Sequence, residues 1–313
     1  MQTTIYDLDM VHGCEKLIVV LPPMGVVASE YVALLHPCVC VGTSVVYVSY
    51  GSAYSTMQQL CARIWSALKV QLATGRPVVL FGFSYGGMVA QGMQSSCPDA
   101  VRIVGMVLAS TTCPVRMPLL DAAHPLATLH SVDALKSISG VAAMFLTPEQ
   151  RKLTKHLIST KMSHEEVDAQ LRAGIDFITT HVCTNEPCVV PILFIHGEQD
   201  GIFPLADAKR AHGYLVNSDL IVVPGAGHDF IRQYAQETCN TVFSWASCLR
   251  CTDSQSGKCP PLLRGSGSGG GAGSSTASSL KAANMAWRVI ACVFITLFIL
   301  FLVLYIVAVA GKK

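Results

Sequence analysis

Six short apolar runs rich in β-branched residues punctuate the first 225 residues or so, at 17–21, 44–49, 77–81, 103–108, 191–195 and 220–223. Each is too short for a buried helix, and most lack the strict polar alternation of a half-exposed strand. That is the pattern of strands buried on both faces of a parallel sheet. The stretches 30–35 and 56–72 carry apolar residues at helical spacing between the strand runs. Such alternation predicts an α/β fold, a doubly wound and mostly parallel sheet. No repeat of 20–50 residues competes with it.

The interval 112–187 interrupts the alternation. It holds two helix starts in which a hydroxyl precedes Gln or Glu by three positions, Thr147-Pro148-Glu149-Gln150 and Ser163-His164-Glu165-Glu166. In that spacing, side chains satisfy the orphan amides of a first helical turn. Val167, Leu171 and Ile175 then recur on one helical face. We read the interval as a helical cap inserted after the fourth strand run.

Beyond residue 251 the pattern changes twice. Residues 252–285 include a run, 265–279, made of Gly, Ser, Ala and Thr, too poor in apolar groups to fold, and read as a flexible linker. Residues 286–311 read as a transmembrane helix. Its core, 289–310, carries no charge over 22 residues. At 1.5 Å per residue this reaches roughly 33 Å, enough for a ~30 Å hydrocarbon layer. Trp287 and Arg288 stand at one edge and Lys312 and Lys313 at the other, as interfacial anchors. Residues 1–10 contain Asp7 and Asp9 and no apolar run led by basic residues, so no secretory signal is expected there. The expected arrangement is a single-pass tail anchor with the domain of residues 1–251 facing the cytosol.

Composition narrows the classes. The formal net charge is +2 with no basic block, which argues against nucleic acid as a partner. The 13 cysteines are odd in number and scattered, a distribution suited to reduced thiols. Cys248, Cys251 and Cys259, with Cys239, lack the second tight pair of a zinc finger or ribbon, so no metal is expected. Cys292, at the edge of the apolar span, could carry a palmitoyl group or simply pack.

The candidate chemistry lies at strand ends. The run 77–81 leads into Gly82-Phe83-Ser84-Tyr85-Gly86-Gly87, a Gly-x-Ser-x-Gly pattern followed by the helical stretch 88–94. A sharp strand-to-helix turn there lifts the serine hydroxyl clear of the sheet, and Gly82 and Gly86 let the two elements approach. Serine is a weak nucleophile that needs an imidazole oriented by a carboxylate. Asp200 follows the 191–195 run in His196-Gly197-Glu198-Gln199-Asp200, with Glu198 as the second choice of acid. His228 follows the 220–223 run in Pro224-Gly225-Ala226-Gly227-His228. The other nine histidines, His156 and His196 among them, have no place in that order and read as background.

On these residues the chain resembles the α/β-hydrolase superfamily over residues 16–246, in the order Ser84, Asp200, His228. The resemblance implies hydrolysis of an ester, thioester or amide through an acyl-enzyme. One departure stands out. Where most relatives carry His-Gly after the first core strand, this chain has Leu21-Pro22-Pro23-Met24-Gly25, and neither proline offers an N–H. The second oxyanion donor therefore falls to Met24 or Gly25, with Met24 preferred and Tyr85 as the first donor.

The Leu-Pro-Pro segment is also similar to the maspardin branch, regarded as non-catalytic, which keeps a membrane-anchored adaptor as the alternative. The leading expectation is a serine hydrolase for a carboxylic ester, with a small-molecule or lipid ester as substrate and no cofactor.

Overall fold

The computed structural model describes residues 3–9, 16–39, 44–73, 75–112, 131–137, 148–180 and 190–249. Their strands are β1 (Thr4–Asp9), β2 (Leu17–Leu21), β3 (Ser44–Ser49), β4 (Val78–Phe83), β5 (Ile103–Ala109), β6 (Ile192–Gly197) and β7 (Ser218–Val223). They form one sheet in the order β1-β3-β2-β4-β5-β6-β7. Every pairing is parallel except that of β1 with β3.

Six strands coincide with the apolar runs, and β1 is the addition. Its sequence, Thr-Ile-Tyr-Asp-Leu-Asp, mixes polar and apolar residues, which suits an edge strand, where one side of the backbone has no partner strand and charge discourages further pairing. Its register against β3 shifts between Asp7 and Asp9, an irregularity of the kind common on sheet edges.

Alternate side chains of the parallel strands enter two cores. Leu17, Val19, Leu21, Leu80, Met106 and Leu108 face one side, packing with α2 (Met57–Ala67) and α4 (Tyr85–Ser95). Ile18, Val20, Val79, Phe81, Val107 and Ile195 face the other, with α1 (Ala28–Leu35) and the last helix. Both faces are covered, which is why these strands read as continuous apolar runs. Each such buried side chain contributes about 1.5–3 kcal/mol relative to exposure.

The predicted helix at 56–72 is two elements. Thr56 caps α2 by accepting from the Gln59 amide, and at Leu68 the backbone flattens before α3 (Lys69–Leu72).

Between β5 and β6 the described residues form three helices and no strand: α5 (Val132–Ser137), α6 (Pro148–Ser159) and α7 (His164–Thr180). The second capping box closes in both directions. The Ser163 amide donates to Glu166 at 3.1 Å, and the Glu166 amide donates to the Ser163 hydroxyl at 3.3 Å. Thr147 lies outside the described residues. Val167 and Leu171 are buried as predicted and Ile175 only partly, because the buried face turns instead through Gln170, Ala173, Gly174 and Phe177.

Asp168 of α7 accepts from the Val132 amide, and Asp176 accepts from the Met57 amide at the start of α2. One cap helix thereby ties the cap to itself and to the body. Then follow α8 (Leu205–Tyr214), α9 (Phe230–Gln233) and α10 (Ala235–Cys248).

All these elements fall within one compact unit, Met1–Cys259. The linker at 252–285 and the membrane helix at 286–311 lie outside the described residues, as do Cys251, Cys259 and Cys292. Among the described residues no helix is long and apolar enough to cross a membrane. Cys239 is buried with its thiol toward the Leu35 carbonyl, and Cys248 is exposed.

Candidate active site

From β2 the chain adds β3 on one side and then crosses back to add β4 on the other. The carboxyl ends of β2 and β4 therefore border the crevice where doubly wound sheets bind their ligands. The turn after β4 and the Leu-Pro-Pro loop after β2 meet at that crevice.

Ser84 sits between β4 and α4 with φ 55° and ψ −118°, a conformation costing an L-residue on the order of 1–3 kcal/mol. The surroundings hold it there. Its amide donates to the Ala109 carbonyl at 2.8 Å, and its carbonyl accepts from the Thr111 hydroxyl at 2.7 Å and the Gly87 amide at 2.9 Å. The elbow glycines are required by contact distance. A β-carbon on Gly82 would lie 2.2 Å from the Gly86 carbonyl oxygen, and one on Gly86 would lie 2.0 Å from that of Leu21.

His228, in the turn after β7, places Nε2 3.0 Å from the Ser84 hydroxyl. Its Nδ1 lies 3.0 and 3.1 Å from the two carboxylate oxygens of Asp200. An ionised carboxylate only accepts, so Nδ1 carries the proton and Nε2 is left to accept from Ser84. The rings of Phe83 and Phe203 stand 5.5 and 5.7 Å from the imidazole and restrict its tilt.

Asp200 is buried. Burial alone would raise its pKa, but the hydrogen bond and charge of His228, then the amides of Phe203 and Ile202, outweigh it and hold the carboxyl below the ordinary value. Both amides donate to one carboxylate oxygen at 2.9 Å.

Glu198, the second-choice acid, is not in this chain of contacts. Its carboxylate accepts from the Gly225 amide at 2.8 Å and its side chain is exposed. Two residues apart in one turn, the two acids serve different partners.

The loop after β2 is held on every side. Tyr50 donates its hydroxyl to the Pro22 carbonyl at 2.8 Å. The Gly25 amide donates to Gln170 Oε1 at 2.9 Å, so of the two proposed second donors Gly25 is engaged, and among the described residues no partner is seen for the Met24 amide. Tyr85 starts α4, its amide at the helix N-terminus, where anions are favoured. Its phenol is buried, and burial raises its pKa well above the ordinary value.

Several site neighbours escaped the sequence reading. His196, treated as background, is buried with Nε2 2.7 Å from the Phe203 carbonyl and 3.4 Å from Asp200, bracing the acid loop. Glu149, seen only as helix-start chemistry, accepts from the amides of Gly201 and His228 and so links the acid and histidine loops to the cap. Gln170 did carry a signal, as a polar residue on the apolar face of α7. Among the described residues no group of three or more His, Cys, Asp or Glu could hold a metal ion.

A strained serine at a strand-to-helix turn, hydrogen-bonded through imidazole to a buried carboxylate, stands at the carboxyl edge of a mostly parallel α/β sheet. The chain belongs to the alpha/beta hydrolase family, whose sequence model matches residues 25–241.

Solved structures share the fold at low identity. A carboxylesterase of the thaumarchaeon Nitrososphaera gargenis is 14% identical with a TM-score of 0.57, covering 79% of this chain and 94% of its own. A thermophilic esterase from Thermogutta terrifontis is 14% identical with a TM-score of 0.58, covering 78% and 93%. An esterase from Exiguobacterium antarcticum is 18% identical with a TM-score of 0.56, covering 78% and 95%. Among curated proteins none matches this sequence.

Proposed function

We propose that this protein is a serine hydrolase that cleaves a carboxylic ester through an acyl-enzyme. The observation that carries the reading is the continuous relay from the Ser84 hydroxyl through His228 to Asp200, each step 3.0–3.1 Å. Ser84 transfers its proton to His228 Nε2 as its oxygen adds to the ester carbonyl, while Asp200 stabilises the resulting imidazolium. The developing oxyanion takes hydrogen bonds from the Tyr85 and Met24 amides. The tetrahedral species collapses as His228 returns the proton to the departing alkoxide, leaving Ser84 acylated. Water, deprotonated by His228, adds to the acyl group, and a second collapse frees the acid and restores the serine.

A fluorophosphonate probe tests this directly. Labelling that vanishes in Ser84→Ala supports the enzyme. Absence of labelling in folded full-length protein, by contrast, supports the adaptor reading drawn from the Leu-Pro-Pro segment.

For substrate class we propose a lipid ester. The support is the uncharged 22-residue run at 289–310, which would hold the domain near a bilayer through a linker reaching about 30 Å. Hydrolysis of a panel of acylglycerols and lysophospholipids beside water-soluble esters tests it, and faster turnover of the soluble esters would overturn it. The tail anchor itself predicts that the full chain floats with liposomes and a chain ending at residue 251 does not. A body protected from protease in intact organelles would contradict the cytosolic orientation.

A further inference from the structure

We propose that Gln170, Thr160 and His156, all from the cap, are positioning residues for the oxyanion hole, so that seating of the cap and assembly of the second donor are one event. The inference rests on the hydrolase reading above and deepens it.

The two donors have unequal support. Tyr85 begins α4 and is held by the elbow and the sheet. Met24 stands in a turn whose first residues, Pro22 and Pro23, bring no N–H of their own. On the sheet side, one side-chain hydrogen bond among the described residues reaches that turn, from Tyr50 to the Pro22 carbonyl.

Among the described residues, the other side-chain hydrogen bonds to it come from the cap. Gly25 lies at φ +72°, and a β-carbon there would meet Leu157 at 2.6 Å and His156 at 3.2 Å, so the turn is pressed against α6. Its N–H donates to Gln170 Oε1 at 2.9 Å. Its carbonyl accepts from the Thr160 hydroxyl at 2.6 Å and from His156 Nε2 at 3.0 Å.

Gln170 has no solvent exposure. The Gly25 amide needs an acceptor, so the oxygen of the Gln170 amide faces Gly25 and its nitrogen faces the Met162 sulfur at 3.6 Å. The Met24 side chain packs along α7 beside Gly174. Both backbone polar groups of Gly25, its N–H and its C=O, are therefore bonded to cap side chains, which leaves the N–H of Met24 beside it for substrate.

Electrostatic stabilisation of an oxyanion depends on donors fixed to within a fraction of an ångström. Breaking the Gln170 and Thr160 bonds touches none of the contacts among Ser84, His228 and Asp200 and removes the support of one of the two donors. A substrate that draws the cap down would complete the hole as it binds.

The test uses the full-length protein, p-nitrophenyl butyrate as substrate and an alkyl boronic acid as tetrahedral analogue, with Gln170→Leu and Thr160→Val as independent variants. Each is expected to lower kcat by about 10- to 100-fold, below the 10²–10³-fold cost of deleting a donor outright. Boronate affinity should fall by a similar factor while KM stays within about three-fold, because the interaction belongs to the transition state. If Gln170→Leu does not fold, Thr160→Val decides.

Folded variants with wild-type kcat and boronate affinity, or with changes in KM alone, would overturn the proposal while Ser84 still takes a fluorophosphonate. A wild-type protein that neither turns over the ester nor labels at Ser84 overturns the hydrolase reading, and this inference with it.

Discussion

Replacing Gly86 by alanine adds one methyl group at the tightest contact in the site. That carbon would stand 2.0 Å from the Leu21 carbonyl oxygen, 2.6 Å from its carbon and 2.8 Å from the Pro22 oxygen, all backbone atoms without a rotamer to give way. Ordinary contact requires well over 3 Å, so the end of β2 and the start of α4 must part by about 1 Å.

Overpacking of this kind costs about 1–3 kcal/mol. The geometric consequence is larger. The displaced segment leads straight into Met24, and Tyr85 moves with the elbow, so the two proposed oxyanion donors separate. A misplacement of about 1 Å lowers turnover by about 10²-fold.

The assay is the rate of fluorophosphonate labelling together with thermal unfolding. Gly213→Ala serves as the comparison. Gly213 sits in α8 with nothing within 4 Å of a built β-carbon, so the same methyl should be neutral or stabilise by at most about 1 kcal/mol. If Gly86→Ala labels within about three-fold of wild type, the close approach is not what holds the donors and the reasoning built on it fails.

Asp200→Asn should lower turnover by about 10⁴-fold through loss of the correct imidazole tautomer. Because its folded pKa lies below the ordinary 3.8, the ionised carboxylate adds stability that is fully present above that value and is lost as pH falls through the lower folded one. Unfolding midpoints of wild type and variant should thus differ at neutral pH and converge in strong acid. Convergence already at pH 5–6 would contradict the assignment. Glu198→Gln should label within about two-fold of wild type, since the residue touches Gly225 and not His228; a loss approaching that of Asp200→Asn would reverse the choice of acid. Ser163→Ala breaks the capping box of α7 and should cost about 1 kcal/mol by thermal unfolding; no change would mean that packing alone starts that helix.

The layered sheet, the elbow and the order Ser84, Asp200, His228 are legible in the sequence alone. These are local signals. Strands buried on both faces must read as unbroken apolar runs, and a serine forced to positive φ between strand and helix needs glycine on either side where backbones touch. The apolar run at 289–310 is equally legible from hydropathy alone.

Only the fold separates Asp200 from Glu198: both occupy the same turn, but Asp200 meets His228 and Glu198 meets the Gly225 amide. It likewise separates Met24 from Gly25, since the Gly25 amide is taken by Gln170, 145 positions away. The braces supplied by His196, Glu149, Thr160 and His156 have no periodicity and no spacing rule. Each arises because a folded interior pairs most of its buried polar groups, and the partner each finds depends on which elements packing has brought alongside.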